Sequence, residues 1–263
     1  MKHLLKQGKI MPIVPEQGGG LTKEVHLLTH LGQKYILRKC PNLKTADKYE
    51  KIYDALEKYG FLPELLWRDR TKMIFEYLPG RDCRIADALR VAKDVGRIAG
   101  IINSAKIPFK QYDFDEKFFD KLNFLRRKHV LDYDKAKEVN ELYYELKRKA
   151  KPQLSMDAND ITDGNFRLSQ GKIYFVDIEA IKPVPKGCGI AKAMLKWFKT
   201  PTQRERFFKG YNQFGDSSFL TPDYRDFVYL YFIINNIYHR YSRNQIKPHN
   251  FERLDKLLMG EEL

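Results

Sequence analysis

The chain has 263 residues, 43% of them hydrophobic and 31% charged, which suits one large soluble domain or two lobes with an ample core. Its longest apolar stretch, residues 227–238, is too short to span a bilayer, the first residues lack a signal-peptide run, and Cys40, Cys83 and Cys188 are too scattered for a disulfide framework; a cytoplasmic protein with no transmembrane segment is expected. The net charge of +14 is spread out, with 14 Lys/Arg against 9 Asp/Glu in residues 1–80 and 34 against 25 in residues 81–263, and reads as a basic surface rather than a specific nucleic-acid site.

Residues 14–37 read as strand, turn, strand, turn, strand. The first turn runs through Gly18, Gly19, Gly20, Leu21 and Thr22, where missing Cβ atoms let backbone N–H groups approach phosphate oxygens. A strand is predicted over 24–31, a tight turn at Gly32-Gln33, and a returning strand over 34–39 that ends in Arg38 and Lys39. Strand alternation puts Ile36 and Arg38 on one face and Leu37 and Lys39 on the other. Residues 45–59 predict a helix, with Thr45 or Asp47 as its cap and Tyr49, Ile52, Tyr53 and Leu56 at helical spacing; Glu50 lies one turn in. Residues 65–66 and 73–78 predict two strands around the polar turn 68–71. Helices are then expected over 82–107, 116–127 and 134–151. The basic runs 126–128 and 147–149 read as solvated helix ends. Late helices are expected over 204–211 and 223–241, and the last twenty residues are polar and helical.

The stretch 155–180, SMDANDITDGNFRLSQGKIYFVDIEA, carries the chemistry. Asp160 precedes Asn165 by five positions, and a short strand over 172–176 delivers Asp177, with Glu179 two residues on. Asp160 suits the acceptance of a proton from an attacking hydroxyl. Asn165 and Asp177 offer oxygen ligands to Mg²⁺, a hard ion that shares its coordination with substrate phosphates. Lys182 and Lys186 follow closely and suit contact with an anionic substrate. No zinc spacing, Walker pattern, Gly-x-Ser-x-Gly elbow or repeat is present, and no histidine lies near Asp160.

In order, these motifs resemble the aminoglycoside phosphotransferase and choline kinase family of the protein-kinase-like superfamily. The resemblance runs from Gly18 to about Tyr211. It rests on Gly19-Gly20-Leu21-Thr22, on Tyr35-Ile36-Leu37-Arg38, and on the Asp160/Asn165/Asp177 spacing with an Asp-x-Glu ending in place of Asp-Phe-Gly. Two departures are Ala158, where the family usually has His, and Arg38, where Lys is common. The resemblance implies an α+β, bilobal, protein-kinase-like fold: a small lobe over 1–78 with an antiparallel sheet and one helix, and a large, mainly helical lobe over 79–263. It implies ATP and Mg²⁺ as cofactors and a small hydroxyl-bearing acceptor, anionic ones included. Asp160 would be the base, and Asn165 and Asp177 the metal ligands. Gly19, Gly20, Thr22 and Arg38 would hold the phosphates, with Glu50 pairing Arg38. Backbone groups from Glu76 to Leu78 would meet the adenine edge. The alternatives are a kinase of a larger anionic acceptor, such as a lipopolysaccharide-type sugar or a protein, and a non-catalytic, kinase-shaped binding protein.

Overall fold

The computed structural model describes residues 9–12, 25–109 and 112–263. Gly19, Gly20 and Thr22 of the expected glycine turn lie outside them. The chain divides into two compact units: residues 1–87, 105–107 and 163–179 form the first, and residues 88–104, 108–162 and 180–263 the second. The first unit therefore extends past residue 78 and takes in the segment that carries Asn165 and Asp177.

The first unit holds an antiparallel five-stranded sheet in the order β1 (Lys9–Pro12), β2 (Val25–His30), β3 (Gln33–Lys39), β5 (Lys72–Glu76), β4 (Leu65–Asp69). Strands β2 and β3 meet at a two-residue turn, Leu31-Gly32, with φ of 49° and 75°. Positive φ at both positions matches the twist of a hairpin, and glycine at the second favours it. The turn sits one residue earlier than the sequence pattern suggested, which keeps the predicted face alternation. Leu28, Leu37 and Ile74 are fully buried on one face of the sheet, with Tyr35 and Trp67 packed against them.

Helix α1 (Leu43–Leu56) starts earlier than expected because Asn42, not Thr45 or Asp47, caps it, its side chain accepting from the Thr45 N–H. A second small sheet, in the order β6 (Arg81–Asp82), β8 (Phe166–Ser169), β9 (Lys172–Phe175), belongs to the same unit. The predicted helix start at residue 82 is thus corrected. Arg81 and Asp82 pair with Leu168 and Arg167, and α2 (Ala88–Ser104) begins only after them.

The second unit is mainly helical: α2, α3 (Phe114–Arg127), α4 (Tyr133–Ala150), α5 (Cys188–Lys196), α6 (Pro201–Tyr211), α7 (Pro222–Tyr241) and α8 (Pro248–Leu258). Its one described strand pair is β7 (Leu154–Ala158) with β10 (Ile181–Pro185). Helices α2 and α6 cross at backbone contact distance through glycines. A Cβ on Gly96 would stand 1.9 Å from the Phe207 carbonyl oxygen, and one on Gly210 would stand 1.8 Å from that of Lys93. Helix α7 is apolar on several faces because it is wrapped: Phe227 and Tyr231 join Phe118 of α3 and Tyr143 of α4 in one aromatic cluster, with Phe118 and Tyr143 stacked at 4.1 Å. Among the described residues no helix is long and apolar enough to cross a membrane.

Candidate active site

Arg38 is the buried member of the basic pair that ends β3. It is 7% exposed, whereas Lys39 is exposed. Its Nη1 donates to Glu179 Oε2 at 2.7 Å, and its guanidinium lies 5.7 Å from the centre of the Tyr49 ring. The expected Arg38–Glu50 pair does not form. Glu50 and Asp47 both hold Arg68 of β4. The helical period explains this. Residues 47 and 50 share a face of α1, while Tyr49 is turned about 100° from Glu50 and is the residue that meets Arg38. The carboxylate that aims Arg38 thus comes from the Asp-x-Glu ending, two residues after Asp177.

Asn165 closes a short 3₁₀ turn, Asp163–Asn165, that leads into β8. Asp177 follows β9 and precedes a second such turn, Ile178–Ala180. Phe166 pairs with Phe175, and the Val176 N–H donates to the Asn165 carbonyl at 3.0 Å. Hairpin β8–β9 therefore brings Asn165 and Asp177 to one end, where both offer hard oxygen donors. Among the described residues no group of three or more His, Cys, Asp or Glu could hold a metal by itself. The Asn–Asp pair has the composition of a Mg²⁺ site completed by phosphate and water oxygens.

The segment after β5 is tied to Arg167. Its Nε donates to the Leu78 carbonyl at 2.8 Å, its Nη2 to the Gly80 carbonyl at 2.7 Å, and its Nη1 to Asp82 at 2.8 Å. Gly80 has φ of 121°, and a Cβ there would stand 2.2 Å from the Leu168 carbonyl oxygen. The Glu76 carboxylate accepts from the Glu64 N–H at 2.9 Å and so serves the sheet. The Leu78 carbonyl is thus engaged by Arg167 and serves the fold.

Asp160 belongs to the second unit. Its carboxylate accepts from Lys192 of α5 and, at 3.2 Å, from the Thr162 hydroxyl, while its carbonyl accepts from the Thr162 N–H at 3.1 Å. Lys192 is delivered by a cap that the sequence did not disclose. Asp157 of β7, 1% exposed, accepts from the N–H groups of Gly187 and Gly189 at 2.8 and 3.0 Å, at the N-terminus of α5. Burial pushes the Asp157 carboxyl up from its ordinary value, against the pull of Asn103 and of the two amides. Ala158, where a His was expected, is buried in β7 opposite Ile181. Asp157, Arg167, Glu179 and Lys192 are the residues that sequence reasoning passed over or left without a partner. Their partners lie 30 to 141 positions away, and no spacing rule connects them.

No family model and no curated relative matches the chain. Solved structures do. A choline kinase from Streptococcus pneumoniae, LicA, superposes with a TM-score of 0.69 at 15% identity, over 97% of this chain and 94% of that one. The fold is kinase-like. A Plasmodium vivax ethanolamine kinase gives 0.66 at 12% identity over 97% and 80% of the two chains, and the spectinomycin phosphotransferase APH(9)-Ia, solved with ADP and spectinomycin, gives 0.62 at 13% over 95% and 87%. The expected α+β kinase-like fold, a small antiparallel-sheet part with one helix and a mainly helical part, is thus present.

Proposed function

We propose that the chain is an ATP- and Mg²⁺-dependent phosphotransferase that moves the γ-phosphoryl group to a hydroxyl of a small molecule. The observation that carries this reading is Arg38 held by Glu179, two residues from Asp177, within a kinase-like fold. The neighbouring structures are named as kinases of choline and ethanolamine and as antibiotic phosphotransferases, and two of them hold AMP or ADP.

In this reading Asp160 takes the proton of the acceptor hydroxyl as its oxygen attacks the γ-phosphorus. The bond from that phosphorus to the β,γ-bridging oxygen breaks, and ADP leaves with the electron pair. Lys192 and Thr162 aim the Asp160 carboxylate, and Lys192 also offers positive charge beside the transferring group. Arg38, fixed by Glu179, holds the nucleotide phosphates. Asn165 and Asp177 would hold Mg²⁺, which supplies charge neutralisation at the β- and γ-phosphates when bound. Backbone groups from Glu76 to Leu78 meet the adenine edge. Positioning and charge supply most of the catalysis in phosphoryl transfer. Asp177→Ala should therefore abolish Mg-ATP turnover while the circular dichroism spectrum and melting transition stay near wild type. Turnover near wild type in that variant would overturn the assignment.

A further inference from the structure

Helix α5 has two occupied faces. One carries Lys192, which holds Asp160. The other walls a cavity of about 240 Å³ within the second unit. Ile190, Ala191 and Met194 form that wall, and Lys192 sits roughly 150° around the helix from its middle. Phe208 of α6 and Val228 of α7 close the apolar lining. The cavity therefore lies behind α5, away from Asp160.

Two guanidiniums and a phenol line the same cavity: Arg204 of α6, and Arg225 and Tyr229 of α7. Arg204 precedes Phe208 by four residues, and Arg225 precedes Val228 and Tyr229 by three and four. Each helix thus presents its cation and the apolar neighbours on one face. Arg204 donates from Nε to the Phe198 carbonyl at 3.2 Å and has no ion pair among the described residues. Arg225 reaches Asp226 from Nε at 3.3 Å and the largely exposed Glu262 from Nη1 at 3.4 Å, both longer than a well-formed charge-assisted bond. Burial pushes the Tyr229 phenol up, while the charges of Arg204 and then Arg225 pull against it. An apolar hollow with a few polar groups that fix orientation has the make-up of a small-molecule site.

We propose that this cavity binds a small carboxylate with an apolar body, the carboxylate held by Arg204 and Arg225 and the body lying against Ile190, Met194 and Phe208. The inference does not rest on the phosphotransferase reading. Drug-sized ligands occupy about 300–1,000 Å³, so the occupant is smaller, on the scale of hexanoate or benzoate. An ammonium group would meet two like charges. A neutral alcohol would fill the hollow and leave both guanidiniums unpaired, and an inorganic anion would leave the apolar walls uncovered. A carboxylate matches the planar fork of arginine and gains charge-assisted hydrogen bonds from it.

The test uses the full chain labelled with ¹³C at the methionine methyl groups, the Met194 signal being identified by its loss in M194L. Hexanoate, benzoate, 1-hexanol, hexylamine and sulfate are titrated in turn at neutral pH. Hexanoate and benzoate should shift the Met194 signal saturably, at least about tenfold more tightly than 1-hexanol, with no saturable shift from hexylamine or sulfate. R204Q should weaken hexanoate by about tenfold and leave 1-hexanol within about twofold, and R204K should recover part of the loss. Hexanol as tight as hexanoate, hexylamine or sulfate tighter than hexanoate, or no Met194 shift with any probe overturns the proposal. Unchanged hexanoate binding in a folded R204Q overturns it as well. The comparison among probes is made on wild type, so it decides the matter even where R204Q does not fold.

Discussion

Asp160 is fixed by Lys192 and Thr162, and Lys192 is itself placed by the Asp157 cap on α5. Removing the base should cost about 10²–10⁴ in kcat. Asp160→Asn, which keeps the shape, is expected to lose that much at an unchanged KM for Mg-ATP, read by coupled ADP release. Arg38 gives a sharper contrast. Glu179→Gln takes away its carboxylate and should raise the KM for Mg-ATP about tenfold. Glu50→Gln frees only Arg68, whose other partner Asp47 remains, and should leave that KM within about twofold. Steady-state kinetics on the two variants side by side separates these assignments. Equal effects would mean that Glu50 serves the nucleotide after all. Asp157→Ala acts through stability: it strands two buried N–H donors, each worth about 1–3 kcal/mol, so a loss of about 2–6 kcal/mol is expected in urea unfolding.

Elements with a clear period were legible in the sequence. Strands β2, β3 and β5 and helices α3, α4, α6 and α7 lie close to where alternation and 3.6-residue spacing put them, because those patterns report burial within one element. What stayed hidden depends on contacts between distant segments. Strand β6 forms because Arg81 and Asp82 find β8, and nothing local distinguishes them from a helix start. Strands β7 and β10 contain Asp157, Pro183 and Pro185, an unpromising composition whose pairing holds because they close on each other. The Asp160, Asn165 and Asp177 spacing was readable because these residues sit near one another in the chain. The partner of Arg38 was misassigned because Glu50 and Tyr49, adjacent in sequence, point in different directions on α1. Close helix crossing was equally silent. Gly210→Ala places a methyl group against the Lys93 backbone and should destabilise the protein by about 3 kcal/mol, seen as a lower melting temperature; an unchanged melting temperature would contradict the tight α2–α6 contact.

The net charge of +14 looked evenly spread along the sequence, yet folding crowds part of it in the second unit, where burial and neighbouring cations act on Lys121 and Lys196. That concentration has a pH signature. Lys121 and Lys196 have folded values near 8 against 10.5 unfolded, so between those limits the unfolded chain binds more protons and stability rises with pH. The urea midpoint of wild type, measured relative to a K121Q/K196Q variant, should therefore increase from pH 7.5 to 9.5. A flat difference would mean that the amines are not desolvated together. The most direct measurement of the central claim is γ-phosphate transfer from Mg-ATP to a panel of hydroxyl acceptors by wild type and Asp160→Ala. Acceptor-dependent ADP formation by wild type, falling at least a hundredfold in the variant, is the predicted result. Equal ADP formation by both proteins, or none by wild type with any acceptor, would contradict the phosphotransferase.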